Sequence, residues 1–115
     1  MIRGEIWLVD FGIPQGSVAG YRRPAVVLQN NDFNKSEIHT SIVIPLTTNL
    51  LLAECPLNVF VPKKESGLSK DSVALIPLVT ALDKQCFIEK ISVMPQKYMK
   101  QISSGLVDIL ELENA

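Results

Sequence analysis

One stretch of this chain places an arginine between a loop of small residues and an apolar strand. The stretch reads G-S-V-A-G-Y-R-R-P-A-V-V-L-Q-N and covers residues 16–30. Pro24 biases the residue before it toward extended geometry, so Arg23 is expected at a rigid strand start beside a flexible loop. A guanidinium is a planar fork of N–H donors that matches a phosphate group. The spacing therefore predicts a phosphate-binding group on a firm base.

The elements that would position this arginine are mostly strands. Apolar segments separated by turn residues predict seven short strands, at residues 5–11, 25–29, 40–46, 57–61, 72–76, 79–82 and 87–93. Polar residues 30–36 leave room for one short helical turn, and residues 62–68 read as a charged turn. After Pro95 the period becomes helical, which predicts a helix over Gln96–Leu110 on the sheet, where Gly105 costs about 1 kcal/mol relative to alanine. The pattern predicts one mainly β domain over residues 1–115, a small antiparallel barrel with a C-terminal helix and one or two short helical turns.

Composition and charge exclude several classes of protein. The chain has 115 residues, of which 47% are hydrophobic and 20% charged, as in one globular domain and unlike a disordered chain. The formal net charge of −1 gives no global signal for nucleic acid. Three acids lie in the last eleven residues, so the first 104 residues carry a formal net charge of +2. This charge is compatible with a basic groove. No apolar run reaches the roughly 20 residues of a membrane helix, so no membrane association is expected.

The residue types that bind metals are too few and too scattered to predict a metal site or any other cofactor. Cys55 and Cys86 have no C-x-x-C spacing, and His39 is the single imidazole. Without a signal peptide, the expectation is two reduced, partly buried thiols in a cytosolic protein. His39 invites an acid–base role as the only histidine, but no motif points to it.

Four blocks of sequence follow one another in the order and spacing of a known family. They are R-G-E-I-W-L-V-D-F from residue 3, G-S-x-x-G-x-x-R-P-A-V-V-L from residue 16, I-V-I-P-L-T-T-N from residue 42, and G-L-S-K-D-S-V-A-L from residue 67 with a later L-D-K. Together they span nearly the whole chain. In these blocks the sequence resembles the MazF/PemK toxins, the endoribonuclease halves of bacterial toxin–antitoxin pairs.

The resemblance implies a fold, a reaction and partners. It implies a small SH3-like barrel that forms a homodimer in the bacterial cytoplasm. It implies cleavage of single-stranded RNA without a metal, by attack of the 2′-hydroxyl, which leaves a 2′,3′-cyclic phosphate and a 5′-hydroxyl. It also implies an antitoxin whose acidic, disordered C-terminal segment occupies the RNA groove. The family's essential arginine falls on Arg23 and its essential threonine on Thr47, while Gly16 and Ser17 fall in the loop that borders the RNA groove.

Each of these site residues also has a plain structural explanation. Arg23 could be a surface arginine, Thr47 a strand-filling β-branched residue, and Ser17 a turn residue. For function, we expect Arg23 to stabilise negative charge on the phosphate, because arginine stays protonated, and Thr47 to donate its hydroxyl to a phosphate oxygen. The resemblance also implies a part for Arg23 in proton transfer. Arg22 and Thr48 are weaker RNA-binding candidates, because Arg22 adds charge and alternation points Thr48 to the other face. Trp7 and Phe11 are expected as core or dimer contacts.

One segment departs from the family pattern and keeps alternatives open. Pro77, Leu78 and Thr80 stand where family members carry polar residues of the groove, so a shifted or relaxed base preference is expected. A non-catalytic nucleic-acid-binding or adaptor barrel is one alternative. A gyrase-poisoning toxin on the same fold is another, since fold does not decide function. The gyrase poison need not keep Arg23 and Thr47, and this chain keeps both.

Overall fold

The structure is a computed structural model that describes residues 1–17 and 20–113. In chain order, its strands and helices are β1 (Glu5–Asp10), β2 (Arg22–Val27), α1 (Asn31–Asn34), β3 (Thr40–Thr47), β4 (Val59–Val61), α2 (Lys63–Ser66), β5 (Ser72–Ala74), β6 (Thr80–Asp83), β7 (Phe87–Val93) and α3 (Gln96–Leu110). Three 3-10 turns join them, at Leu50–Glu54, Ile76–Leu78 and Lys84–Cys86.

The strands form one antiparallel sheet built around β3. The strand order is β4-β5-β3-β2-β1-β7, and β6 pairs with β3 beside this path. β3 carries β2 along one edge, while its other edge pairs first with β6 and then with β5. The path ends at β4 and β7, so the described strands make an open sheet and not a hydrogen-bonded cylinder. The predicted mainly β fold with a C-terminal helix is confirmed.

The central strands bury residues on both faces of the sheet. On one face Ile6, Val26 and Ile44 lie opposite one another and join the main core. On the other face a smaller core consists of Val9, Ala25 and Val43. Four partly buried side chains pack against the smaller core: Trp7, Phe11, Leu82 and Phe87. The prediction that the first strand is covered on both sides is confirmed, as is the core role of Trp7 and Phe11.

Helix α3 closes the main core with the bounds that its sequence period predicts. Tyr98, Met99 and Ile102 are buried there. A Cβ at Gly105 would meet the Ile76 side chain and the Leu57 carbonyl at 3.3 Å, so this glycine lets the helix approach closely. The predicted apolar stripe of α3 continues past the residues that the core buries, since Ile109 and Leu110 are 37% and 53% exposed.

Several predicted boundaries were wrong for local reasons. β2 begins at Arg22, before the predicted Ala25, because Arg22 and Arg23 pair with Asp10 and Val9 of β1. β5 stops at Ala74, since the chain enters a 3-10 turn at Ile76. The charged turn after residue 62 contains α2, and the 3-10 turn at Leu50–Glu54 was not predicted.

Two further expectations concern thiols and membranes. Cys55 and Cys86 are both free in the structure. Cys86 is partly buried as expected, but Cys55 is exposed because it follows the 3-10 turn on the surface. Among the helices of the described residues, none has the length and apolarity needed to span a membrane.

Candidate active site

The register of β2 and β3 brings the two predicted catalytic residues together. Ala25 pairs with Pro45, and continuing this antiparallel register along both strands sets Arg23 beside Thr47. β2 begins one residue before Arg23, and β3 ends at Thr47. Cross-strand neighbours share a face of the sheet at about 5 Å between strands. The two residues therefore lie close to each other, where β2 begins and β3 ends.

A shallow depression of about 270 Å³ lies at this edge. Four of the six predicted site residues line it together with three apolar residues: Arg22, Arg23, Thr47 and Thr48, with Leu8, Pro24 and Leu46. Alternation along the strands points Arg22 and Thr48 away from the face that carries Arg23 and Thr47, so the depression wraps around the edge of the sheet. The apolar walls, which sequence reasoning missed, belong to the row in which Leu8 pairs with Pro24.

Arg23 is held by one end of its guanidinium and leaves the other end available. Its Nε donates to the Gly20 carbonyl at 3.1 Å. Gly20 is buried, and any Cβ there would overlap Pro14, so only glycine fits this position. Within residues 1–17 and 20–113, the two terminal nitrogens of Arg23 make no hydrogen bond and no ion pair. The side chain is partly buried, so its free donors are positioned and ready for an anion.

Backbone hydrogen bonds fix the base of the loop that carries Gly20. The Phe11 N–H donates to the Tyr21 carbonyl at 2.8 Å, and the Tyr21 N–H donates to the Gly12 carbonyl at 2.5 Å. The Gly12 N–H in turn donates to Asp10 Oδ1 at 2.7 Å. These bonds extend the β1–β2 ladder past its last strand pair, which gives Arg22 and Arg23 a firm support.

Thr47 presents a hydroxyl whose proton remains available. Its Oγ1 accepts a hydrogen bond from the Asn49 N–H at 3.2 Å, which fixes the rotamer. Asn49 also caps the following 3-10 turn, because its side chain accepts from the Leu51 N–H at 3.3 Å. The Thr47 O–H can therefore still donate to a phosphate oxygen. Thr48 beside it is exposed.

The other candidates lie apart from the depression. Gly16 and Ser17 are exposed in the loop between β1 and β2 and do not line it, so their RNA-binding role stays a prediction. Val18 and Ala19 of the signature loop lie outside the described residues. His39 precedes β3 at the end opposite Thr47, roughly 25 Å away along the strand.

Thr80, in the segment that departs from the family pattern, lines a different groove. Thr80 pairs with Val43 of β3, four residues before Thr47. A largely apolar groove of about 440 Å³ lies there, bounded on one side by β3 and β6 and on the other by Leu106 and Leu110 of α3. The effect of this segment on base preference stays a prediction.

The arrangement can bind a phosphate but offers little to a metal. No group of three His, Cys, Asp or Glu side chains in the described part of the chain is placed to hold a metal ion. Arg23 and Thr47 instead place a guanidinium and a hydroxyl at one depression, and Arg22 and Thr48 also line it. Such a set of donors supports electrostatic stabilisation of a phosphate that gains negative charge.

Comparison with known proteins identifies the class. Residues 2–110 match the family of PemK-like, MazF-like toxins of type II toxin–antitoxin systems. Endoribonuclease MazF2 of Mycobacterium bovis and Endoribonuclease MazF6 of Mycobacterium tuberculosis are each 34% identical to this chain over 110 residues, covering 96% of both chains. MazF from Deinococcus radiodurans shares the fold with a TM-score of 0.83, at 22% identity over 97% of each chain.

A second solved structure adds a complex to this comparison. It is a mycobacterial endoribonuclease solved with its cognate antitoxin, with a TM-score of 0.76 at 17% identity, covering 100% of this chain and 97% of that one. The family match over residues 2–110 and the curated relatives thus define a toxin of a toxin–antitoxin system. The chain belongs to the MazF/PemK family of toxin endoribonucleases.

Proposed function

We propose that this chain cleaves single-stranded RNA without a metal, as the toxin of a type II toxin–antitoxin pair. The observation that carries the proposal is the pairing of free donors at one edge. No described residue takes the terminal nitrogens of Arg23 or the hydroxyl proton of Thr47, and both residues line the same depression. A phosphate diester bound there meets a planar cationic fork and a hydroxyl donor.

The proposed reaction is an internal displacement at phosphorus. The 2′-oxygen of one nucleotide forms a bond to the phosphorus, and the bond to the 5′-oxygen of the next nucleotide breaks. The 2′-hydroxyl loses its proton to solvent, and the leaving 5′-oxygen gains a proton from solvent. The products are a 2′,3′-cyclic phosphate and a 5′-hydroxyl, with no net oxidation or reduction.

In this reaction Arg23 and Thr47 act on the charge of the phosphate. The pentacovalent intermediate carries one negative charge more than the diester, so donors that are already in place stabilise it over the substrate. Arg23 contributes through its charge and its hydrogen bonds. Arg22 and Thr48 line the same depression and would contact the neighbouring sugar-phosphate backbone, with Gly16 and Ser17 on the adjacent loop.

The proposal includes a homodimer and an antitoxin in the bacterial cytoplasm. The apolar groove beside α3 and the exposed Ile109 and Leu110 support a dimer, because a second copy would cover them. The complex of a mycobacterial endoribonuclease with its cognate antitoxin supports an antitoxin partner. An acidic, disordered segment would complement Arg22 and Arg23 and exclude RNA from the depression.

The decisive experiment incubates the purified protein with a long RNA in EDTA and maps the ends of the fragments. We expect cleavage to persist in the chelator, with cyclic phosphate and 5′-hydroxyl ends, and to stop when the nucleotide before the cut lacks its 2′-hydroxyl. Activity that disappears with EDTA would contradict the mechanism. Inhibited DNA supercoiling without RNA cleavage would favour the gyrase-poisoning alternative. Sedimentation at micromolar concentration tests the dimer, which a purely monomeric protein would exclude.

A further inference from the structure

One residue beside the active-site depression has a conformation that its side chain disfavours. Tyr21, immediately before Arg22, has a φ of 57°. A bulky residue in this left-handed region is an outlier, because its Cβ crowds the backbone. The same loop uses glycine at Gly12 and Gly16, where φ is 76° and 60°. Glycine at position 21 would relieve the strain, so stability does not explain the tyrosine.

The tyrosine ring is not explained by packing either. Its side chain is 64% exposed and belongs to neither core cluster. None of the side-chain hydrogen bonds in the described part of the chain involves its hydroxyl. Its backbone, in contrast, is pinned on both sides, by the bond from its N–H to Gly12 and by the bond from the Phe11 N–H to its carbonyl. A rigid backbone therefore presents a free aromatic ring to solvent.

The position of this ring suits a nucleobase. Consecutive Cα atoms are 3.8 Å apart, so Tyr21 lies within two residues of both arginines of the depression. Proteins that bind single-stranded nucleic acid place aromatic rings beside a cationic track for the backbone, because every base has a stacking face. Ile13, which follows the Gly12 that accepts the Tyr21 N–H, is 81% exposed. Strained backbone that holds a side chain outward is a common property of ligand-binding positions.

We propose that Tyr21 is a base-stacking residue that holds a nucleobase of the RNA next to the phosphate bound at Arg23. This inference rests on the proposed ribonuclease function and adds a second contact, to a base, at the same site. The stacked base would fix the register of the strand over the depression. Tyr21 acts in substrate positioning and not in the chemistry at phosphorus.

The test separates the ring from the backbone strain. Tyr21→Phe keeps the ring, Tyr21→Ala removes it, and Tyr21→Gly removes it while relieving the positive φ. Phe33→Ala is the matched control, because Phe33 is a 52% exposed aromatic residue on α1, beyond the far end of β2. The probe is an RNA oligonucleotide that spans a cut mapped with the wild-type protein and carries one 2′-deoxy nucleotide at that cut. Its dissociation constant is measured by fluorescence anisotropy, and thermal unfolding is measured in parallel.

We expect Tyr21→Ala and Tyr21→Gly to weaken binding by roughly 5- to 150-fold, the range found for loss of one stacked base. Tyr21→Phe and Phe33→Ala should bind like the wild type, and Tyr21→Gly should be more stable than Tyr21→Ala. A 2-aminopurine placed beside the cut should lose fluorescence only with proteins that keep the ring. If Tyr21→Gly binds the RNA as tightly as the wild type, the inference about Tyr21 is overturned. The proposed function is not affected by that result as long as the wild-type protein cuts RNA. A wild-type protein that cuts no RNA overturns the proposed function as well.

Discussion

The two arginines at opposite ends of β1 and β2 show how the same side chain serves two purposes. Arg3 precedes β1 and gives both terminal nitrogens to its own chain, one to the Leu28 carbonyl and one to Ser103 Oγ at 3.2 Å. Arg23, at the other end, bonds to the described part of the chain through its Nε alone. Arg3 is nevertheless the more exposed of the two. Saturation of donors, and not exposure, therefore distinguishes the structural arginine from the one for which we propose a function.

The surroundings of the two arginines repeat this contrast. Beyond the far end of β2, Asn34 donates to the Gln29 carbonyl at 2.9 Å and accepts from Ser41 Oγ at 2.8 Å. Lys84 Nζ donates to the Asn34 and Ser36 carbonyls at 2.9 and 3.1 Å and so closes the end of α1. Polar groups at this end satisfy one another. At the depression, the guanidinium donors of Arg23 are left for a ligand.

The largest expected effect is the loss of Arg23. Arg23→Ala should lower the cleavage rate by about 10²- to 10⁴-fold, because a charge-stabilising group is removed, and should leave the free energy of unfolding nearly unchanged. Arg3→Ala should show the reverse, with lower stability and normal cleavage per folded molecule. Cleavage assays and urea unfolding measure the two properties. Arg23→Lys should not restore full activity, since a point charge lacks the bidentate fork. Near-normal cleavage by folded Arg23→Ala protein would contradict the proposal that Arg23 is functional and Arg3 structural.

Thr47 should show the next largest effect. Thr47→Ala removes one hydroxyl donor, for which we expect a rate about 10- to 10³-fold lower. Thr47→Ser keeps the hydroxyl and its bond from the Asn49 N–H, and should stay within roughly 10-fold of the wild type. His39→Ala, at the far end of β3, serves as the control and should cleave normally. Equal losses in the alanine and serine variants would mean that Thr47 acts through its methyl group and not through its hydroxyl.

Lys84 lies at the end of the sheet where polar groups satisfy one another, and its substitution should lower stability and not activity. Lys84→Met keeps the length of the side chain but leaves carbonyls at the end of α1 without their donor. We expect the free energy of unfolding to fall by about 1–3 kcal/mol, with cleavage per folded molecule unchanged. Urea unfolding and an activity assay corrected for folded fraction make the comparison. A fall in activity without a fall in stability would place Lys84 with the functional residues.

Much of this contrast could be predicted from the sequence, and the missing part has a physical reason. Alternating apolar segments predicted the strands, and the motif predicted Arg23 and Thr47, which the antiparallel register then set side by side. The L-D-K block was recognised only as a family motif. Its role in closing α1 depends on contacts between residues about 50 positions apart, which local pattern does not contain. The backbone of Tyr21 was equally hidden, since nothing in its residue type favours a positive φ.

The smallest expected effect concerns Glu5, the one carboxylate that forms an ion pair within the described residues. Burial raises the pKa of its carboxyl, but hydrogen bonds from Trp7, Lys90 and the Ile2 N–H, with the charge of Lys90, bring the pKa below its ordinary value of 4.5. A carboxyl with a lowered pKa in the folded state stabilises the protein above its unfolded pKa and loses this contribution as pH falls through the folded one.

Glu5→Gln removes the charge and so isolates this contribution. The free energy of unfolding of the wild type should exceed that of Glu5→Gln near neutral pH. The difference should shrink as pH falls below about 4.5, where the Glu5 carboxyl of the unfolded chain takes up its proton before that of the folded protein. Urea unfolding of both proteins between about pH 3 and pH 7 measures the difference directly. Because Glu5 lies on β1 away from the depression, cleavage at neutral pH should not follow this change. A difference that stays constant over the whole range would mean that Glu5 contributes through packing and neutral hydrogen bonds. The ion pair between Glu5 and Lys90 would then contribute nothing to the free energy of unfolding.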